Sequence, residues 1–349
     1  MVCGTRIVQR NQVRFLHIGD YKTGTTWLQN KVFGLDSRIR LIGEDETDQG
    51  VELWAALENL TYAENVDVDS WSQDFNKLVF KNESENGVVY GISRESLISD
   101  NPFHFHRWRR MADRLHSAFG QTKVIITFRE QLSLLNSLYS TFIKNGGTSK
   151  IEDLYLNQEQ FDACLERLNY HQIALYYREL FGSENCLFLS FNELCEDPDS
   201  YINKIYNFVD VPPLILDDSA RYSTPNKSLA SVALKFQRIM NHGVRSTYSK
   251  EGAQPLFEPI IVKLFQLLRK EGGNLHSRRI DHLLPEVKLL AGFERPIETI
   301  DYISGIRRLS EAINFGQSAK LPIAVKSAFD EHIKQSNKNL KRDFDLDLY

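Results

Sequence analysis

The sequence predicts an α/β protein with a doubly wound parallel sheet of P-loop-like topology, followed by a helical C-terminal region. Three observations carry that expectation. Four short runs, Val13 to Ile18, Val88 to Ile92, Val124 to Phe128 and Leu187 to Phe191, are nearly continuous in apolar residues, as strands are when helices cover both faces of a parallel sheet. Between them lie stretches with apolar residues at helical spacing, so strands and helices alternate along the chain. After Pro225 the pattern is mostly helical, with Phe257, Ile260, Ile261, Leu264, Phe265 and Leu268 on one stripe.

Taken in order, the first strand is followed by a helix whose Trp27, Leu28, Val32 and Phe33 share a face, with Gly34 as its stop. The stretch from Val51 to Asn86 is rich in acids, with Lys77 and Lys81 its only basic residues, and its periodicity is weak. It reads as an insertion over the sheet edge with a solvated acidic surface. Phe105, Trp108, Met111, Ala112, Leu115 and Phe119 form a second helical stripe, and Arg107, Arg109, Arg110 and Arg114 are expected to face away from it. They make either a solvated helix face or a basic rim that attracts an anionic ligand. Leu135, Leu138, Tyr139 and Phe142 form a third stripe, closed by Gly146 and Gly147. With no repeat, low-complexity segment or obvious linker, the expected organisation is one domain over 1–349, with its core at 13–230, the insertion at 51–86 and a mostly helical part at 231–349.

Composition sets limits on function. A chain of 349 residues with 42% apolar and 25% charged residues suits a globular protein with a substantial core. A formal charge of -4 argues against bulk nucleic-acid binding, which calls for a basic surface. The first residues, MVCGTRIVQRNQVRF, hold no continuous apolar signal region, and no stretch is apolar for long enough to span a membrane, so a cytoplasmic location is expected. Cys3, Cys164, Cys186 and Cys195 are scattered without a CxxC pair, which suggests reduced thiols and neither a zinc site nor a disulfide scaffold.

The chemistry concentrates in YKTGTTWLQ, Tyr21 to Gln29, at the junction of the first strand and first helix. The unpaired N–H groups and positive dipole of a helix start favour an anion there. Gly24 lets the backbone approach that anion, and Thr23, Thr25 and Thr26 add hydroxyl donors. Gly19 and Gly24 have the spacing of a Walker A loop, GxxxxGK[ST], but Thr25 stands where its lysine belongs and the cation is Lys22. A lysine at the apex of the loop is placed for the bridging oxygen beyond a bound phosphate, not for a triphosphate with Mg²⁺. The competing reading is an ordinary strand-to-helix turn. A second group agrees with the first: the run Lys123 to Phe128 ends on Arg129, and Ser137 lies further on in the next helix. An arginine at the carboxyl end of a parallel strand faces the ligand crevice of an open α/β sheet and suits a second phosphate. A surface ion pair with Glu130 is its alternative.

YKTGTTWLQ and VIITFREQLSLLNSLYSTF resemble the 5'-phosphosulfate and 3'-phosphate motifs of sulfotransferases that use 3'-phosphoadenosine 5'-phosphosulfate (PAPS). The second stretch, continued by Phe142 to Gly146, is most similar to bacterial members. LFLSFNELCEDPDSYINKIYNFVDVP, Leu187 to Pro212, resembles the family's strand, acidic turn and helix, and SNKNL at Ser336 to Leu340 resembles the tail of some bacterial members. The likeness spans roughly residues 13 to 230. It implies a P-loop-like sulfotransferase fold, with Lys22, Thr23, Gly24, Thr25 and Thr26 at the 5'-phosphosulfate and Trp27 opening the helix, as ligand contact or core anchor. It also implies Arg129 and Ser137 at the 3'-phosphate, and loosely a cofactor loop at Asn226, Lys227 and Ser228. PAPS is the implied cofactor, 3',5'-ADP (PAP) its product, and no metal is expected, because a sulfuryl group carries less charge than a γ-phosphate.

Such a reaction needs a base for the acceptor hydroxyl. The small-molecule branch of the family places a histidine at a Lys-Thr-His strand end; here that strand ends Gly91-Ile92-Ser93-Arg94-Glu95. Glu95 is therefore the first candidate, since a partly buried glutamate can have its pKa raised towards neutrality. The glycan-modifying branch points instead to Glu46, or to Glu44 in the same run, both of which also read as solvated loop charge. His104 and His106 are further alternatives, and RKEG at Arg269 to Gly272 reads as structural. The expected function is sulfuryl transfer from PAPS to the hydroxyl of a small-molecule or glycan acceptor: a saccharide, a lipid-linked group or a secondary metabolite. A kinase with a degenerate loop and a non-catalytic PAPS- or PAP-binding protein are the alternatives. Acceptor choice falls to Val51 to Asn86 and Lys144 to Arg167, where Trp54, Tyr62 and Trp71 either stack on a sugar or pack the segment.

Overall fold

The computed structural model describes residues 13–44, 47–80, 87–99, 107–216, 230–241, 310 and 320–348. The first half runs β1 (Phe15–His17), α1 (Thr25–Lys31), β2 (Ile39–Leu41), α2 (Asp48–Tyr62), α3 (Val68–Val79), β3 (Val89–Ser93), α4 (Trp108–Phe119) and β4 (Lys123–Phe128). It continues with α5 (Gln131–Lys144), α6 (Ile151–Tyr155), α7 (Gln158–Leu168), α8 (Tyr170–Phe181), β5 (Cys186–Ser190), α9 (Phe191–Glu196), α10 (Pro198–Phe208), α11 (Ser231–Asn241) and α12 (Ile323–Phe344). By compactness the chain divides into two units, Met1–Leu134 with Gln158–Pro225 and Ser327–Tyr349, and Leu135–Asn157 with Asn226–Lys326.

The first unit is built on a five-stranded sheet of order β2-β3-β1-β4-β5, parallel throughout. The connection from β1 runs towards β2 and every later one runs the other way. Right-handed crossovers then put α1 on one face and the helices between β2 and β5 on the other. The packing agrees: Trp27, Leu28, Tyr201, Ile202, Ile205 and Tyr206 of α1 and α10 bury against Phe15, Ile125 and Leu189 of the strands. On the opposite face α3, α4 and α8 pack in series, around a fully buried Trp108. Burying each such large apolar side chain contributes about 1.5–3 kcal/mol. The loops leave in opposite directions at the carboxyl end of β1, which makes that end the ligand crevice of the sheet.

Four strands lie where the apolar runs predict them. The fifth, Ile39–Leu41, is too short to stand out and carries Arg40 at its centre. Within the segment 51–86, residues 51–80 are more ordered than their weak periodicity suggests. Leu53, Leu57 and Leu60 form a buried stripe on α2, capped by Thr47, while exposed Val51, Trp54 and Tyr62 blur the pattern. In α3, Phe75 and Val79 are buried, and Trp71 stacks on Phe75 with its indole N–H donating to the Ala56 carbonyl at 2.9 Å. Trp71 is therefore a packing residue.

Arg114 corrects the expected basic face of α4. It is buried, and its guanidinium donates to the carbonyls of Leu60, Ala63 and Glu64, each at 2.8 Å. These are carbonyls at the end of α2 that lack helical partners, and a cation there also meets the negative end of the helix dipole. Arg109 lies over the Trp108 ring at 4.4 Å.

The part of α12 within the first unit brings SNKNL against the start of α5. Gln131 and Asn337 exchange amide hydrogen bonds of 2.5 and 3.1 Å, and the Ser336 hydroxyl accepts from the His171 N–H at 3.3 Å. In the second unit, Asn241 of α11 donates to the carbonyls of Ile143 and Gly147 at 2.7 and 2.8 Å, closing the end of α5. The apolar stripe from Phe257 to Leu268, the RKEG segment, Phe105, His104, His106, Glu46 and Asn226 to Ser228 all lie outside the described residues. Among the described residues no helix is long and apolar enough to cross a membrane.

Candidate functional site

The loop between β1 and α1 is shaped by its own backbone. Ile18 N–H still pairs with the Ile125 carbonyl of β4 at 3.0 Å, after which the chain turns, and the Thr23 hydroxyl donates to the Asp20 carbonyl to close the turn on itself. Lys22 has φ 66° and Gly24 φ 86°, both left-handed. For Lys22 that conformation costs about 1–2 kcal/mol. At Gly24 a side chain is excluded twice, by φ and because a Cβ would stand 2.7 Å from Leu194 Cδ2. Left-handed residues interleaved with ordinary ones turn successive N–H groups towards a common concavity, which binds anions. Gly24 is also the N-cap of α1 and no side chain caps that helix, so its positive end opens on the loop. Thr23, Thr25 and Trp27 are buried, Lys22 is half-buried and Thr26 is exposed.

Beneath the loop lie groups with no local sequence signal. His17 pairs through Nδ1 with the Ser93 hydroxyl at 2.8 Å, and burial pushes its pKa down to about 4, so the ring is neutral. A Cβ on Gly19 would stand 3.2 Å from the His17 Nε2 and 3.0 Å from the Thr23 hydroxyl oxygen, closer than side chains ordinarily pack. Arg167 of α7 donates to Asp20 Oδ1, and both side chains are almost wholly buried. The same carboxylate oxygen accepts the Tyr21 N–H at 2.6 Å. Burial raises the Asp20 pKa and the Arg167 guanidinium opposes that rise.

Arg129 stands at the carboxyl end of β4, beside the loop. Its Nη1 donates to the Lys22 carbonyl at 2.9 Å, while Nε and Nη2 reach the Ser133 hydroxyl at 3.2 and 2.9 Å. The Phe191 ring lies 4.9 Å from the guanidinium carbon. Glu130 is engaged by the helix start: its carboxylate accepts the N–H groups of Leu132 and Ser133 at 3.0 and 2.7 Å. Ser133 is thus the hydroxyl that Arg129 contacts, and Ser137, expected beside Arg129 at the 3'-phosphate, sits one turn further along α5, half-buried. A hydroxyl four residues after a strand-end arginine is the signal that marks Ser133. Arg167 has none, being 147 residues from Asp20.

On the β3 side, Glu95 opens a short 3-10 turn, Glu95–Leu97, directly after the strand. Arg94 N–H donates to the His17 carbonyl at 3.0 Å, which holds this strand end against β1. Burial pushes the Glu95 pKa up to about 7, with the Asp20 charge adding to the rise. The Lys22 charge limits it. Burial also raises the Glu44 pKa, and Arg94 opposes the rise. The strand-end loops therefore bring together the turn that carries Lys22, an arginine on the β4 side and, on the β3 side, a carboxyl whose pKa is raised to about 7. Among the described residues no cluster of His, Cys, Asp and Glu has the makings of a metal centre.

The sequence matches the sulfotransferase domain family over residues 14–254. Among solved structures it is similar to a sulfotransferase from Alicyclobacillus acidocaldarius, with 16% identity over 61% of this chain and 87% of that one and a TM-score of 0.42. The sulfotransferase domain of the Synechococcus PCC 7002 olefin synthase shares 16% identity over 61% of this chain and 78% of its own, with a TM-score of 0.36. The sulfotransferase domain of the curacin biosynthetic pathway shares 12% over 87% and 98%, with a TM-score of 0.35. No curated protein matches significantly. The match to the family covers well over half of the sequence, and the chain belongs to the sulfotransferase family.

Proposed function

We propose that the protein transfers the sulfuryl group of PAPS to the hydroxyl of a small-molecule or glycan acceptor. The observation that carries this reading is the loop itself: left-handed Lys22 and Gly24 around an uncapped helix start, tied by Arg129 to the neighbouring strand. These residues fit a 5'-phosphosulfate in charge and donor set, with Lys22, Thr23, Gly24, Thr25 and Thr26 around it. Arg129 and Ser137 are assigned to the 3'-phosphate, the guanidinium supplying the charge. Trp27, buried in the core, anchors the helix that presents the loop.

PAPS, when bound, supplies the sulfuryl group and a phosphate oxygen as leaving group. The chain's residues do the rest by position and charge, as in phosphoryl transfer. Lys22 neutralises the negative charge that grows on the leaving oxygen, a contribution of a few kcal/mol at a preorganised site. Glu95, deprotonated, takes the proton of the acceptor hydroxyl as its oxygen bonds to sulfur and the bond from sulfur to the phosphate oxygen breaks. The products are a sulfate ester and PAP. Glu46 is the second candidate for this base, and Glu95 is preferred because its carboxyl adjoins Lys22 and its pKa is raised to about 7.

Incubation with ³⁵S-labelled PAPS and a panel of saccharide, lipid-linked and phenolic acceptors tests the proposal. Label should pass to at least one hydroxyl acceptor with stoichiometric release of PAP. Tight PAP binding without transfer to any of them would favour a non-catalytic binding protein.

A further inference from the structure

The acceptor side of the crevice has a built wall of its own. Trp54 and Glu58 lie one turn apart on α2, so their side chains share a helix face, and Arg94 reaches that face from the end of β3. The Arg94 guanidinium lies over the Trp54 ring at 3.6 Å and makes an ion pair with Glu58. Arg94 is only 6% exposed, yet its buried Nη1 has no hydrogen-bond partner. A buried, charged donor without an acceptor calls for one from water or ligand. Trp54 nevertheless remains 44% exposed, so one side of the indole is covered by Arg94 and much of the rest is open. Further along the same face, Tyr62 is 45% exposed.

Its location gives the wall a role. In-line transfer places the acceptor oxygen across the sulfur from the leaving oxygen. With Arg129 on the β4 side of β1, a nucleotide held there leaves the β3 side to the acceptor, and that side carries Glu95, Arg94 and α2. Its chemistry narrows the ligand. An open indole face stacks on the C–H face of a sugar ring, while the fixed Glu58–Arg94 pair offers an acceptor and a donor side by side, as neighbouring hydroxyls require. An anionic acceptor meets Glu58 and Glu44 as well as Arg94, and an alkyl chain would leave the charged pair without hydrogen bonds.

We propose that Trp54, Glu58 and Arg94 form the acceptor subsite and that it takes a neutral disaccharide, one ring stacked on the open face of Trp54 and the neighbouring ring bonded through adjacent hydroxyls to the Glu58–Arg94 pair. This rests on the sulfuryl-transfer reading for the orientation of the acceptor, and the test separates the two. The full chain, with and without saturating PAP, is titrated with maltose, lactose and N-acetyllactosamine, and separately with glucuronate, 1-octanol and phenol, by tryptophan fluorescence and saturation-transfer NMR. At least one neutral disaccharide should bind and perturb the fluorescence, Trp54 being the tryptophan open to solvent. Trp54→Ala should weaken it tenfold or more, Trp54→Phe and Glu58→Gln by about threefold to fivefold, with PAP affinity changed less than twofold and the melting temperature retained. Binding of octanol, phenol or glucuronate in preference, or disaccharide binding indifferent to Trp54→Ala, would overturn the subsite. So would PAP binding with no disaccharide bound. Trp54-dependent disaccharide binding without any PAP binding would uphold the subsite and remove the proposed function instead.

Discussion

Arg129 donates through Nη1 to the carbonyl of Lys22 at 2.9 Å, and Lys22 holds a left-handed φ of 66°. The strand-end arginine thus grips the residue at which the loop is most strained. Two chain segments that are 107 residues apart are thereby tied together at the strand ends, which joins the loop to the second motif.

Strain at Lys22 should be separable from its chemistry. Lys22→Gly removes the left-handed penalty and should raise stability by about 1 kcal/mol, less the entropy glycine adds to the unfolded chain. The same change should lower kcat by about 10²–10³, the usual loss when a positioned charge stabiliser is removed. Urea unfolding and single-turnover sulfate transfer measure the two; a variant both stable and fully active would remove Lys22 from the leaving-group role.

Arg129→Ala should weaken PAP by about 30-fold to 100-fold, in the range of a lost charge-assisted contact. AMP, which lacks the 3'-phosphate, should lose only a few-fold through the slackened Lys22 carbonyl. Ser133→Ala should have a milder effect on both. Competitive binding measurements with the two nucleotides check this, and equal losses would reduce Arg129 to a structural support.

Glu95 supplies a pH test with a definite sign. Its folded pKa of about 7 lies above the unfolded value of 4.5, so the folded state holds the proton more tightly. The stability it contributes is present below pH 4.5 and is lost as pH rises to about 7, a change on the order of 3 kcal/mol. Glu95→Gln should therefore gain on the wild type between pH 4.5 and pH 8 in urea unfolding. The rate runs the opposite way, since a base must be deprotonated: kcat should climb through about pH 7, and the limb should vanish with Glu95→Gln. An unchanged profile would return the role to Glu46.

The Asp20–Arg167 pair should behave as a buried ion pair. Arg167→Met leaves the Asp20 carboxylate unpaired and should cost about 3–5 kcal/mol, whereas Asp20→Asn with Arg167→Met should recover part of it. Denaturant titrations of the single and double variants check this, and strictly additive losses would show the pair to be uncoupled.

The parts of the site that follow from local chemistry are legible in the sequence. A nearly continuous apolar run before Gly19, threonines around Gly24 and an arginine directly after the run Lys123 to Phe128 each state their position without help from the fold. What escapes is what tertiary contact decides. Arg114 looks like surface charge because nothing near it in sequence reveals that the open carbonyls of α2 will end beside it. Arg167 pairs with a residue on another element, and Ile39–Leu41 becomes a strand because β3 offers it an edge. Trp54 and Trp71 are alike in sequence; ring contacts with Phe119 and Phe75 half-bury one and the other stays at the rim.

Calorimetric titration of the protein with PAP, AMP and ATP–Mg²⁺ tests the central claim, that the Lys22 loop and Arg129 hold a nucleotide with phosphates at both ends. PAP should bind at least about 100-fold more tightly than either of the others, a difference near 2.7 kcal/mol. Binding of ATP–Mg²⁺ in preference to PAP would contradict it.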